Sequence, residues 1–379
     1  MFQILCSLFF FTPIMVLFWQ ENSLSITEIM ILQSIYSVII VLLEIPTGYF
    51  ADVFGRRTSL INASLFTFLA LLTYSLGYNF YQFLLAEILF AFAIAFISGA
   101  NSAMLYDTLK DLKKEKLYKK IWGNILSYSY MSLALAYIVG GFVGKINLRW
   151  TIYMTLLAMF FLIPLAISLK EPQRHKLIFK KGYIVDMLRI IKTVVLNNKK
   201  LKWIIIYSGV LLGFNGAALW LYQPYFQISG LDIVYFGIVF AFFNVVAALG
   251  SKYAHKIEGI IGPKVSLISL VLLIGIGYLL MSNFVYIFSF SFAFLQQFAK
   301  GFATPVIEDY INKLTSSDIR ATTLSIQNMS QRFFYAMIIP IIGLVVDIYS
   351  LTQALTILGI TTLIIGIFSL LMLRRVKVI

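Results

Sequence analysis

Apolar residues run along this chain in long blocks of about 20, broken by short polar clusters, and almost no block shows the in–out alternation of a half-buried strand. A block of about 20 apolar residues is the length that crosses the hydrocarbon core of a bilayer as a helix. In lipid every backbone group must bond within the segment or within a closed barrel. Barrel strands would alternate polar and apolar positions, so the pattern predicts helices. Twelve are expected, over about residues 1–20, 27–50, 59–76, 80–106, 121–144, 150–169, 202–226, 232–252, 263–282, 285–309, 321–347 and 351–373. The first block has neither a basic start nor a small-residue cleavage pattern, and reads as a span rather than a leader.

Composition agrees. The 379 residues are 60% apolar and only 12% charged, against roughly 25% charged in soluble domains. The net charge of +14 would suit a nucleic-acid partner, but the placement of the charges excludes that reading. Twenty-six of the 30 basic residues fall in the even-numbered linkers and the C-terminal tail. Two, Lys145 and Arg149, fall in odd linkers, and Lys300 and Arg332 lie inside spans. Lys and Arg accumulate on the cytoplasmic side, so both termini are expected in the cytoplasm of a cell whose plasma or inner membrane holds the chain. The single cysteine, Cys6, excludes an internal disulfide, and the two histidines, His175 and His255, lie in basic linkers. No cofactor and no metal site is expected.

The long sixth linker separates six spans from six, giving an N-terminal bundle over 1–170, a cytoplasmic linker over 171–201 and a C-terminal bundle over 202–379. Its stretch Tyr183–Leu196 reads equally as an interfacial amphipathic helix or a solvated connector. The halves match at a constant offset of 202: Gly48 with Gly250, Gly99 with Gly301, Asp107 with Asp309, and Gly141 with Gly343. A duplicated six-helix unit around a central pathway is a transporter architecture.

The second linker reads Gly48-Tyr49-Phe50-Ala51-Asp52-Val53-Phe54-Gly55-Arg56-Arg57-Thr58. It resembles the signature loop of the major facilitator superfamily, G-x-x-x-D-(R/K)-x-G-(R/K)-(R/K), in the expected linker, with Val53 in place of one basic residue. The resemblance spans the whole chain and implies twelve all-α membrane helices in two pseudo-symmetric six-helix bundles. It also implies a conformational latch of Gly48, Asp52, Gly55, Arg56, Arg57 and Asp107. In it Asp52 faces the start of span eleven and Arg56 pairs with Asp107. Span four, Ala86-Glu87-Ile88-Leu89 followed by Ser98-Gly99-Ala100 and Tyr106-Asp107, is similar to a bacterial, drug-efflux-like subset. Many other members carry arginine where Glu87 stands. Gly140-Gly141-Phe142-Val143-Gly144 resembles the antiporter motif of span five without its proline; small residues also simply allow helices to pack closely.

Ionisable side chains inside a membrane are costly and mark functional positions. Here they are Glu44, Glu87, Lys300, Glu308 and Arg332. Burial favours the protonated carboxyl group, which makes Glu87 and Glu44 proton candidates; static ion pairs with Arg332 are the alternative for Glu44 and Glu308. Lys300 would attract an anionic group or pair with a carboxylate. Asn215, Gln327 and Gln331 are further candidates to line a substrate path. There is no nucleotide-binding G-x-x-x-x-G-K-(S/T) loop. The expectation is a monomeric, proton-coupled exporter of small amphiphilic molecules. Uptake symport and lipid flipping are alternatives, with protons, a small-molecule substrate and the bilayer as partners. Convergent His, Asp or Cys clusters of a membrane enzyme are absent from the sequence.

Overall fold

The computed structural model describes residues 1–172, 198–315 and 319–378; Tyr183–Leu196 lies outside them. Among the described residues every regular element is helical, and nine helices are long and apolar enough to cross a membrane. In chain order all the α-helices, short and long, are α1 (Phe2–Leu5), α2 (Met15–Glu21), α3 (Ile26–Phe54), α4 (Arg56–Leu76), α5 (Phe80–Asp111), α6 (Tyr118–Ile146), α7 (Leu148–Phe160) and α8 (Leu162–Ser168). After the linker come α9 (Lys199–Ile228), α10 (Ile233–Asn283), α11 (Ala293–Leu314), α12 (Arg320–Ile348) and α13 (Leu351–Arg375).

Several expected spans are interrupted. Residues 1–20 form α1, a 3-10 turn at Thr12–Ile14 and α2 instead of one helix. Pro13 has no N–H to bond backwards, and the non-helical stretch lays its backbone on α6: a Cβ at Gly140 would sit 1.8 Å from the Phe10 carbonyl oxygen. The sixth span divides into α7 and α8 at Phe161, where Pro164 denies a donor to the Phe160 carbonyl. The tenth begins as a 3-10 turn, Ser289–Phe292, so α11 starts later than the apolar run suggests. The eighth and ninth run together as α10, broken only by Gly262 (φ 77°, ψ 164°). That left-handed region is open to glycine at no steric cost.

The first N–H groups of a helix have no partner inside it, and this chain satisfies them in two ways. Asn79, Asn147, Asn198 and Ser350 cap α5, α7, α9 and α13 locally through their side-chain oxygens. At α3, Ser25 and Glu28 exchange side-chain to backbone bonds (Ser25 N–H to Glu28 Oε2, 2.9 Å; Glu28 N–H to Ser25 Oγ, 3.2 Å), a capping box. The remaining two donors, Ile26 and Thr27 N–H, go to the Asp347 carboxylate at 3.2 and 2.7 Å. Asp347 lies at the far end of α12, 320 residues away. Arg149, exceptional as a basic residue in an odd linker, is likewise committed. Its guanidinium donates to the Ser75 and Gly77 carbonyls at 3.0 and 2.9 Å and lies 4.0 Å from the Tyr78 ring centroid, so it closes the C-terminal end of α4.

The described chain clusters into two compact units. One takes residues 1–24, 35 to the linker, and 233–241; the other takes 25–34, the linker to 232, and 242–379. In the first unit α3 crosses α5 where a Cβ on Gly99 would lie 3.2 Å from the Gly48 Cα, and α6 meets the start of α10 where Gly141 faces Gly237. In the second unit α10 crosses α11 at Gly250 and Gly301, and α12 meets the start of α3 where Gly343 faces Thr27 and Met30. The three glycine pairs that match at an offset of 202 thus make the same two kinds of helix crossing in each unit. Close approach through side-chain-free positions is how membrane helices gain dispersion contacts without a hydrophobic driving force.

Candidate functional site

Three groups of candidate residues occupy distinct places. The first surrounds the turn between α3 and α4. Gly55 holds φ 119°, a region strained for any residue with a Cβ, and this lets α4 restart immediately. The Glu171 carboxylate takes the N–H groups of Arg56 and Arg57 at 2.9 and 2.7 Å, and a Cβ on Gly55 would lie 3.1 Å from it. Arg56, whose N–H is thereby fixed, extends its guanidinium to Asp107 of α5, with Nε 3.1 Å from Oδ2. The same guanidinium lies 3.9 Å from Asp52, one turn back. Arg57 donates to the Ile167 carbonyl at 2.5 Å, at the end of α8. Gly48 of α3 lies against Gly99 of α5. The turn therefore links α4 to α8 and the segment after it through charge-assisted hydrogen bonds, the stronger class, and to α3 and α5 through ion pairs.

Glu171 was not foreseen. Its only sequence signal is an acidic residue isolated between Lys170 and Pro172 in a basic run. Asp347 was missed likewise, although Ser25-x-x-Glu28 was a legible capping box.

The second group is centred on Glu87 of α5. The residue is 6% exposed, and the Tyr74 hydroxyl of α4 donates to its Oε1 at 2.5 Å. Tyr74 is itself enclosed by aromatic rings, with centroids of Phe83, Phe90 and Trp19 at 5.4, 6.0 and 6.3 Å. A carboxyl group in an apolar box, supplied with a hydroxyl, can hold its charge or its proton, depending on what else reaches it. Glu44 is half-buried on α3, two turns before Asp52.

The third group lies in the second unit. Asn215 of α9 and Gln327 of α12 are 4% and 3% exposed, while Gln331 and Arg332 are half-buried. α9 and α12 pack closely because Gly209, Gly213 and Gly216 face Ser330, Phe334 and Tyr335, and Gly213 takes the Gln331 backbone. Tyr222 of α9 donates to Gln296 Oε1 at 2.6 Å and accepts from Gln297 Nε2 at 3.1 Å, which ties α9 to α11. Lys300 and Glu308 both lie on α11, and neither makes an ion pair within 4 Å among the described residues. No group of three or more His, Cys, Asp or Glu suited to a metal occurs among the described residues.

Comparison with known proteins places these features. The sequence profile described as Major Facilitator Superfamily matches residues 1–291. No curated protein matches the chain. Among solved structures, a mutant of the nucleoside transporter NupG superposes with a TM-score of 0.84 at 14% identity, covering 98% of each chain. A peptide transporter POT mutant superposes with a TM-score of 0.78 at 13% identity, covering 99% of this chain and 93% of that one. A POT family transporter in complex with 5-aminolevulinic acid gives 0.76 at 11% identity, with 99% and 95% covered. At such identities the likeness establishes the fold, and it does so end to end. With the profile match over three quarters of the chain, the apolar helices and the signature turn at Gly55, it follows that this chain is a multi-pass membrane transporter, not an enzyme, and belongs to the major facilitator superfamily.

Proposed function

We propose that the chain is a monomeric, proton-coupled secondary transporter of the plasma or inner membrane, with both termini cytoplasmic. In this reading it has twelve spans in two six-helix bundles, over 1–170 and 202–379, joined by the linker 171–201. The count follows if the two arms of α10 are taken separately and the broken segment Phe2–Glu21 and α11 are added to the nine apolar helices. Alternating access moves a small molecule through the bundles, and the turn at Gly55 is the latch. Arg56 and Asp107 brace it, and Asp52 lies one turn before Arg56.

The observation that carries proton coupling is Glu87, a buried carboxyl group with a tyrosine hydroxyl on one oxygen. A carrier must load a proton on one side and release it on the other, and a buried carboxyl group whose ionisation depends on its surroundings does both when those surroundings change between states. Export of amphiphilic compounds is the direction drawn from the resemblance of span four. Uptake of a polar solute is the second reading, favoured by the polar exposed face of α11 and by solved relatives described as nucleoside and peptide transporters.

The test is flux in proteoliposomes carrying a trapped pH dye. Solute-driven proton release opposite to solute movement assigns antiport, and co-movement assigns symport. Solute flux that is indifferent to a pH gradient and unchanged in Glu87→Gln would end the coupling proposal.

A further inference from the structure

Within α11 the exposed residues are Lys300, Thr304, Asp309 and Lys313, and none is apolar. Elsewhere exposed helix faces carry large apolar side chains, as on α13 with Ile357, Ile360, Ile364 and Leu371. A helix at membrane depth whose accessible face is wholly polar does not present that face to lipid, because ionisable groups there face a bundle interior or water. Asp309 and Lys313 neutralise each other across one turn at 2.5 Å. Lys300, nearer the middle of the helix, has no such neighbour among the described residues. Thr304 and half-buried Glu308 follow it at four-residue steps on the same face, and the Thr304 hydroxyl donates to the Lys300 carbonyl at 3.2 Å. Glu308 lies two turns away, about 12 Å along the axis, too far to cancel the ammonium. At the other end of the stripe, Gln296 Nε2 is buried without a hydrogen-bond partner among the described residues, as is Asn215 Oδ1 on neighbouring α9. The position 202 residues earlier is Ser98, also exposed. The cation is thus an addition to a plan that the other half keeps neutral.

We propose that Lys300 recognises the transported solute and that this solute carries an oxyanion, a carboxylate or a phosphate. The inference rests on the transport reading and adds the substrate class to it. An ammonium held in a wet path, without a counter-ion among the described residues, attracts oxyanions through short charge-assisted bonds. Glu308, of opposite sign, stands farther along the same face, so an anion is held at Lys300 and not drawn beyond it.

The full chain in liposomes and in detergent provides the test. The probes are 5-aminolevulinic acid as carboxylate, glycerol 3-phosphate as phosphate, uridine as neutral and choline as cationic solute. Wild type and Lys300→Arg are expected to show counterflow and a raised melting temperature with at least one of the first two. Lys300→Ala should lose that response at least tenfold. In a Cys6→Ser background, Lys300→Cys and Thr304→Cys should react with a water-soluble sulfonate thiol reagent while Ile364→Cys does not.

An oxyanion response that survives in Lys300→Ala, response to uridine or choline alone, response to none of the four, or an unreactive Lys300→Cys would each overturn the assignment. Melting shifts by oxyanions without any exchange would instead overturn transport and leave Lys300 as a binding residue.

Discussion

At the scale of single residues, two carboxyl groups a few turns apart on α5 do different work because their surroundings differ. Asp107 has a guanidinium 3.1 Å away and is held as its ion-pair partner. Glu87 sits among rings with a tyrosine hydroxyl on one oxygen. Glu87→Gln, close in shape but unable to ionise, should still insert and melt near the wild-type temperature while solute flux loses its dependence on a pH gradient. Tyr74→Phe removes only the hydroxyl, so it should shift the midpoint of the pH–flux curve without abolishing it. Both are read in the same dye-loaded vesicles. The pairing of Arg56 with Asp107 was legible because the motif gives the arginine and the next helix supplies an acid at its inner end. Tyr74 was not legible, since its role depends on how α4 is rotated against α5, which an almost uniformly apolar sequence leaves open.

At the scale of elements, helix starts decide much of the geometry. Glu171 and Asp347 each take the first two N–H groups of a helix distant in sequence. A cap of this kind contributes about 1 kcal/mol, with a further few tenths to one from the positive end of the helix. Glu171→Gln and Asp347→Asn keep the size and lose the charge, so each should lower the melting temperature of the purified protein, and adding salt should narrow the difference from wild type. Such caps escape a linear reading because donor and acceptor meet only after more than a hundred residues have folded back. The local caps, Asn79, Asn147, Asn198 and Ser350, stand immediately before their helices and are readable in place. Breaks inside spans were obscured for another reason. Phe161 and the turn at Ser289–Phe292 are as apolar as their neighbours, and hydropathy measures solvent preference, not helical continuity.

At the scale of the whole molecule, the apolar blocks already prescribed a chain of membrane helices. Which face of α11 is exposed was hidden, because exposure is a property of packing and not of composition. If the even linkers and the tail share the cytoplasmic side, cysteines introduced at Lys116 and Arg374 should both be labelled by an impermeant reagent in inside-out vesicles only. Labelling from opposite sides would contradict the orientation.

The two repeated crossings differ in one respect. A Cβ added at Gly48 meets nothing within 4 Å, whereas at Gly250 it would lie 2.6 Å and at Gly301 1.9 Å from neighbouring carbonyl oxygens. Gly48→Ala should therefore be tolerated. Gly301→Ala should destabilise by about 2 kcal/mol or more through overpacking, measured by thermal unfolding in detergent. Duplicated parts with unequal clearance are not mechanically interchangeable. A Cβ at Gly99 would meet the Gly48 Cα at 3.2 Å, so the α3–α5 contact is close yet less tightly keyed than the α10–α11 contact, and sliding between neighbouring rods during turnover should be easier in the N-terminal copy.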